Sequence, residues 1–247
     1  TLANLHGVKV SKAVSYGNAV ILDSCDYLEY LWRDEQTEII GLYIEGLRKG
    51  SRFIEILKKT TAKKPVIIWK GGQTEAGTRA TASHTGSMAE SMALWDSLIK
   101  QVGAVRVDSL EEMVDVVKGF VYTNPIKSDR VGLLSMTGGQ SVVITDAFAR
   151  GGFQVPLLTE DSYRKLSTFF NIVGGSYKNP IDMGSNWTAG PEALRLLELL
   201  DQDSNIDNIV LEFNTNFLKR LFDSQPGFYD KLFDIIFEFK TKTKKPF

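Results

Sequence analysis

The sequence predicts an α/β protein made of two doubly wound parallel-sheet domains. Three observations predict it. Short runs rich in β-branched and aromatic residues alternate with amphipathic stretches along the chain, as in repeated βαβ units. Several of these runs, Val66-Ile67-Ile68-Trp69 among them, are apolar at consecutive positions, like parallel strands covered on both faces. Finally, Thr123-Asn124-Pro125-Ile126-Lys127-Ser128 forms a polar, Pro-containing joint, and patterns before it recur after it.

In order, strands are predicted over 8–14, 38–44, 65–70, 104–107, 131–136, 153–157 and 208–213. Helices are predicted over 24–33, 48–60, 83–101, 109–122, 139–150, 160–170, 191–200 and 228–240, each with an apolar stripe at helical spacing. The joint divides the chain into a first domain, 1–125, and a second, 129–247. Three echoes relate the halves. Lys63-Lys64-Pro65 matches Lys244-Lys245-Pro246, the stretch 38–45 matches 208–212, and Leu5-His6-Gly7-Val8 matches Arg150-Gly151-Gly152-Phe153. By these echoes the first domain lacks a leading strand and helix start, and the second lacks a strand after Pro246.

Composition narrows the function. Of 247 residues 43% are hydrophobic, enough to bury a core in each half. A net charge of -1 argues against a general nucleic-acid binder, which needs a basic face. A single cysteine, Cys25, leaves no internal disulfide and fits a reducing cytoplasm. Two histidines, His6 and His84, leave no multi-histidine metal site. No signal-peptide pattern is read, and the apolar runs are too short to span a bilayer.

The chemistry concentrates in two strand–turn–helix junctions. After the 65–70 strand, Gly71-Gly72 permits a turn and close backbone approach, and a small-residue loop leads to Ser83-His84-Thr85-Gly86-Ser87. His84 is placed at a helix start, where the positive helix end keeps imidazole neutral and nucleophilic and backbone N–H groups suit a phosphoryl anion. The other reading of the same residues is a helix cap at His84. Thr137-Gly138-Gly139-Gln140-Ser141 is the second junction, able to cradle a phosphate or to serve as a tight turn. It is neither a Walker A loop nor a dinucleotide fingerprint. Glu45, just past the 38–44 strand, is placed at the carboxyl edge of the sheet, where it can hydrogen-bond an imidazole. Ser15, Gly17 and Asn18 are placed at the same edge, and Asn179 and Asp182 lie in a turn-rich segment; plain loop chemistry accounts equally for both.

The run Lys64-Pro65-Val66-Ile67-Ile68-Trp69-Lys70-Gly71-Gly72, with Thr74-Glu75-Ala76-Gly77 and Ala82-Ser83-His84-Thr85-Gly86-Ser87, resembles the ADP-forming acetyl-CoA synthetase family, relatives of the succinyl-CoA synthetases. The likeness extends through Ser15-Tyr16-Gly17-Asn18, Tyr43-Ile44-Glu45-Gly46, Gly138-Gly139 and Asn179-Pro180-Ile181-Asp182. It implies two flavodoxin-like CoA-ligase domains and a ligase joining an acid to CoA through a phosphohistidine at His84, with Glu45 against the ring. It implies Gly138, Gly139, Gln140 and Ser141 as a phosphate-binding helix start, although Gln140 stands where the family has a small residue. Ser15, Gly17, Asn18, Gly71, Gly72, Asn179 and Asp182 become candidates for substrate loops. CoA, ADP or ATP, and Mg2+ belong to the complete enzyme, on a CoA-binding domain and an ATP-grasp domain in the same chain or on another subunit of an oligomer. By itself the chain is then expected to be inactive as a synthetase. A reading from another class makes it a non-catalytic acyl-CoA-sensing or scaffold region, as in an acetyltransferase fusion.

Overall fold

The computed structural model describes residues 2–85, 92–126, 128–186, 191–222 and 227–247. The chain forms two compact units, Thr1–Tyr122 and Thr123–Phe247.

Unit 1 contains α1 (Leu2–Leu5), α2 (Ser24–Arg33), β1 (Ile40–Ile44), α3 (Gly50–Thr61), β2 (Val66–Lys70), α4 (Glu75–Thr85), α5 (Met92–Val102), β3 (Val105–Val107) and α6 (Leu110–Tyr122). Its sheet is parallel, in the order β1-β2-β3, with Ile40 opposite Val66 and Ile67 opposite Val105. Leu28, Ile40, Ile44, Phe53, Leu57, Ile68, Trp95 and Ile99 close one core between sheet and helices. Fully burying each such side chain contributes roughly 1.5–3 kcal/mol before entropy is counted.

Unit 2 contains β4 (Val131–Ser135), α7 (Gly138–Arg150), α8 (Glu160–Leu166), β5 (Ile181–Asp182), a single 3-10 turn at Gly184–Asn186, α9 (Pro191–Gln202), β6 (Asn208–Glu212), α10 (Thr215–Phe222) and α11 (Phe228–Lys242). Its strands are also parallel, in the order β5-β4-β6, and β4 is buried at every position. Leu134, Leu166, Ile181, Leu196, Leu200, Leu218, Leu232 and Phe239 form its core.

The three echoes are structural. Val8 N–H donates to Ala3 O (2.9 Å), and Phe153 N–H to Phe148 O (3.0 Å), each closing a helix whose exit glycine has positive φ. Lys64 Nζ reaches Leu31 O and Asp34 O at the end of α2, and Lys245 Nζ reaches Leu200 O and Asp203 O at the end of α9. Pro65 O accepts from Ile40 N (3.0 Å), and Pro246 O from Ile209 N (2.9 Å). In each unit a lysine, buried in the first and half-buried in the second, therefore satisfies a helix's last carbonyls. The same lysine brings the following Lys-Pro segment beside the next strand.

Four expectations are corrected. Residues 8–14 form no strand; Val8 is buried, but Val10 and Val14 are about half exposed, and Lys12 turns outward to Asp34 (2.8 Å). Residues 153–157 make only the Arg130–Gln154 bridge, because Pro156 has no N–H to continue a ladder. The helix expected from residue 83 starts earlier: α4 covers Glu75–Thr85 and α5 Met92–Val102, with 86–91 outside the described residues. Thr74 Oγ1 accepts from Gly77 N (3.1 Å) and Glu75 pairs with Arg79, so the helix carrying His84 begins at Glu75. The short strand β5 and helix α10 went unpredicted; two residues carry no readable period.

Candidate functional site

In unit 1 the junction after β2 is built by close approach. Lys70, the last residue of β2, is 4% exposed, and its ammonium donates to Glu45 O (2.7 Å) and Gly71 O (2.6 Å). It lies 5.7 Å from the Trp95 ring centroid, within cation–π range. Gly71 has no room for a side chain: a Cβ there would lie 2.7 Å from Tyr43 Oη and 3.2 Å from Glu45 Cγ. Gly72 is left-handed (φ 72°), and a Cβ there would meet Thr81 Oγ1 at 2.8 Å. The turn and the first turns of α4 are thus pressed together, and Thr78 Oγ1 donates to Gly72 O to lock them.

Glu45 directly follows β1 and is half-buried, with its Oε1 accepting from Tyr43 Oη (3.2 Å). Burial first, then the Glu45 charge, raises the Tyr43 phenol above its ordinary value, so it stays a donor. Glu45, Gly71 and Gly72 thus share one edge. Among the described residues His84 falls within α4, nine residues past its start at Glu75. Its side chain, and those of Ser83 and Thr85, lie outside the described residues.

Ser15, Gly17 and Asn18 follow no strand, and their neighbour Tyr16 packs at the start of α2. Tyr16 stacks on Tyr27 of α2 (centroids 5.1 Å apart), and its phenol is raised chiefly by burial. Asp23 caps α2 through a reciprocal box with Asp26 and pairs with Lys49 at 3.1 Å, just before α3. Burial opposes ionisation of Asp23, but Lys49 and the Cys25 and Asp26 N–H groups outweigh it, and its carboxyl is held below the usual range. Cys25 is buried, and burial together with the Asp23 charge pushes its thiol up to about 11, so it is no thiolate nucleophile at neutral pH.

In unit 2 the junction after the central strand is the one that follows β4. Thr137 caps α7 by accepting from Gln140 N, and Ser141 Oγ donates to Gly138 O (2.7 Å). Gly138 and Gly139 therefore open the helix, while Ser141 is turned inward and the Gln140 side chain is exposed. Two carboxylates flank this start. Asp182 Oδ2 lies 2.9 Å from where a Gly138 Cβ would stand. Glu212, ending β6, accepts from Ser135 Oγ at 2.8 Å. Asn179 is committed to the scaffold: its amide bridges Leu133 N, Val131 O and Pro156 O, and it is 6% exposed.

Sequence reasoning passed over Lys70, Tyr43, Thr137 and Glu212. Lys70 carried a readable signal, a cation ending an otherwise apolar buried strand. Glu212 carried one only through its echo of Glu45. In register, however, Ile209 matches Ile40 through the paired Pro carbonyls, so Glu212 stands where unit 1 has Tyr43. Among the described residues no three His, Cys, Asp or Glu side chains gather as a metal site, and no helix is long and apolar enough to cross a membrane.

Two parallel α/β units, each with a glycine turn after its central strand and a carboxylate ending a neighbouring one, define the class: flavodoxin-like domains of the CoA-ligase type. The profile of the succinyl-CoA ligase like flavodoxin domain matches residues 1–120. The alpha subunit of an ADP-forming acetate–CoA ligase II from Pyrococcus furiosus is 38% identical over 81% of this chain and 43% of its own length. An ADP-forming 4-hydroxybutyrate–CoA ligase from Nitrosopumilus maritimus is 30% identical over 98% of this chain and 34% of its own. An acetyl-coenzyme A synthetase 1 from Candidatus Korarchaeum cryptofilum, solved with phosphate and ADP, superposes with a TM-score of 0.80 at 28% identity. That match covers 98% of this chain and 51% of the other. The chain belongs to the ADP-forming acyl-CoA synthetase family, and it spans less than half the length of these curated relatives.

Proposed function

We propose that this chain is the phosphohistidine-bearing part of an acyl-CoA synthetase that interconverts acyl-CoA, ADP and phosphate with acid, CoA and ATP. In this reading residues 1–125 are the phosphohistidine domain and 129–247 the second CoA-ligase domain. The observation that carries it is the unit 1 junction, where Glu45 lies over the Gly71-Gly72 turn from which the His84 helix departs.

Phosphate oxygen attacks the thioester carbon, the C–S bond breaks and CoA leaves, giving an acyl phosphate. An imidazole nitrogen of His84 then attacks phosphorus and the P–O bond to the acyl group breaks, releasing the carboxylate. Finally a β-phosphate oxygen of ADP attacks the phosphohistidine and the P–N bond breaks, giving ATP. Splitting the transfer lowers each barrier. Glu45, accepting a hydrogen bond from the ring, would fix the imidazole tautomer and steady its positive charge. The Gly138 and Gly139 N–H groups at the start of α7 are the phosphate-cradling donors of the scheme. Ser15, Gly17, Asn18 and Asp182 remain loop candidates for substrate, whereas Asn179 is left out because its amide is committed to the scaffold. CoA, the nucleotide and Mg2+ are assigned to a CoA-binding domain and an ATP-grasp domain, in cis or on another subunit, and the setting is cytoplasmic.

The complete enzyme, incubated with radiolabelled ATP, should acquire acid-labile, base-stable label that is absent from His84→Ala. Label persisting in that variant would falsify the assignment. The chain by itself should show no ligase turnover.

A further inference from the structure

We infer that Lys70 is a positioning residue for phosphoryl transfer, acting through Glu45; this rests on the reading of Glu45 given above. Lys70 is nearly fully buried at the end of the central strand, where a charge is costly unless its donors are satisfied. Its ammonium donates to two carbonyls of adjoining strand ends, Glu45 O (2.7 Å) and Gly71 O (2.6 Å). A hydrophobic residue would fill this place at lower desolvation cost, and only a donor can tie these two loops together. The tie fixes the backbone of Glu45 and of the glycine that Glu45 overlies. Tyr43 Oη, 3.2 Å from Glu45 Oε1, then sets the carboxylate's direction. Lys70, Tyr43 and the bare Gly71 therefore form a cradle that aims one carboxylate at the turn leading into the His84 helix.

The test is a double-mutant cycle on the complete enzyme, reading kcat and KM for overall ligase turnover. Lys70→Met should lower kcat by about 30-fold, with KM values for CoA and nucleotide changed less than about twofold. In a Glu45→Gln background the same change should cost less than about threefold, because the group it positions is already gone. An equal loss in both backgrounds overturns the inference, as does a Glu45→Gln enzyme of normal kcat or a loss confined to KM. Should Lys70→Met fail to fold, Lys70→Gln, which keeps a donor but no charge, goes through the same cycle: unequal losses support the inference and equal losses overturn it. The cycle is read in turnover alone. Absence of label at His84 in the unmutated enzyme would therefore sink the phosphohistidine reading without deciding this one.

Discussion

At the carboxyl edge of unit 1 a buried ammonium takes the strand-end carbonyls, and the Glu45 carboxylate accepts from a phenol. At the carboxyl edge of unit 2 no such lysine intervenes among the described residues, and the Glu212 carboxylate itself takes the Ser135 hydroxyl at the last residue of β4. The two junctions share a central parallel strand, a glycine turn and an adjacent carboxylate. They differ in what satisfies the edge. In unit 1 a cation settles the backbone, and the carboxylate stays at the turn, half-buried. In unit 2 the carboxylates of Asp182 and Glu212 lie against the start of α7 and the end of β4. The two edges are thus satisfied differently, one by a buried cation and the other by a carboxylate.

The largest effect that would break this comparison is on turnover. His84→Asn in the complete enzyme should cost at least about 10^4-fold, as loss of a covalent nucleophile does. Gln140→Ala should cost less than about tenfold, because its exposed side chain leaves the α7 N–H groups in place. Steady-state rates decide it; equal losses would erase the division of labour.

A second contrast concerns stability. Asn179→Ala strands Leu133 N, Val131 O and Pro156 O in the interior and should cost about 2–4 kcal/mol, seen as an earlier denaturant midpoint for unit 2. A midpoint that does not move would show that Asn179 is not the clamp of β4.

The glycine turns separate more finely. Gly72→Ala forces a side chain into the left-handed region against Thr81 and should cost about 1–2 kcal/mol. Gly138→Ala meets only the Asp182 carboxylate, which can swing aside, and gains helix propensity, so less than about 1 kcal/mol is expected. Thermal melts of the two variants rank them, and the reverse order would refute the packing described for the β2 turn.

The smallest effect is in acid. Burial opposes ionisation of Asp203, but hydrogen bonds from Ser162, Thr159 and Asn205 outweigh it and hold its carboxyl below the ordinary value. Its contribution is therefore fully present above the usual carboxylate range, near about pH 4, and is lost as pH falls through the depressed folded-state value. Asp34, its counterpart after α2, is lowered first by the Lys12 hydrogen bond and then by Thr37. Asp203→Asn should flatten the acid dependence of melting equally at low and high salt. Asp34→Asn should do so mainly at low salt, because its stabilisation comes first from the part-buried Lys12 ion pair, which salt screens, rather than from hydrogen bonds to neutral groups. Matching salt responses would show that the two positions are held alike.

Much of this arrangement is legible in the sequence, in uneven ways. Helix 24–33 matches to the residue, because Asp23 announces its own cap and Asp34 its end. The strands of 65–70 and 131–136 stand out because buried parallel strands are apolar on both faces. Residues 8–14 mislead, because alternating Val and Lys imitate a strand and nothing local reveals that no neighbouring strand accepts the pairing. His84 misleads differently: the small residues before it look like a loop, whereas the Thr74 cap and the Thr78 hydroxyl donating to Gly72 O accompany a helix from Glu75. The site residues Glu45, Gly71 and Gly72 are visible as strand-end chemistry, whereas Lys70 is visible only as a letter in a motif.

The sequence by itself determined the class of the fold and the family, because periodicity, turn chemistry and motif are local properties of the chain. Only the tertiary structure decided which of the marked residues hold the scaffold and which stand at the chemical edge. Asn179 proved to be a clamp and Lys70 a tie between strands. Hydrogen bonds across tens of residues are set by strand order and register, and no local pattern encodes which distant carbonyl a buried donor will find.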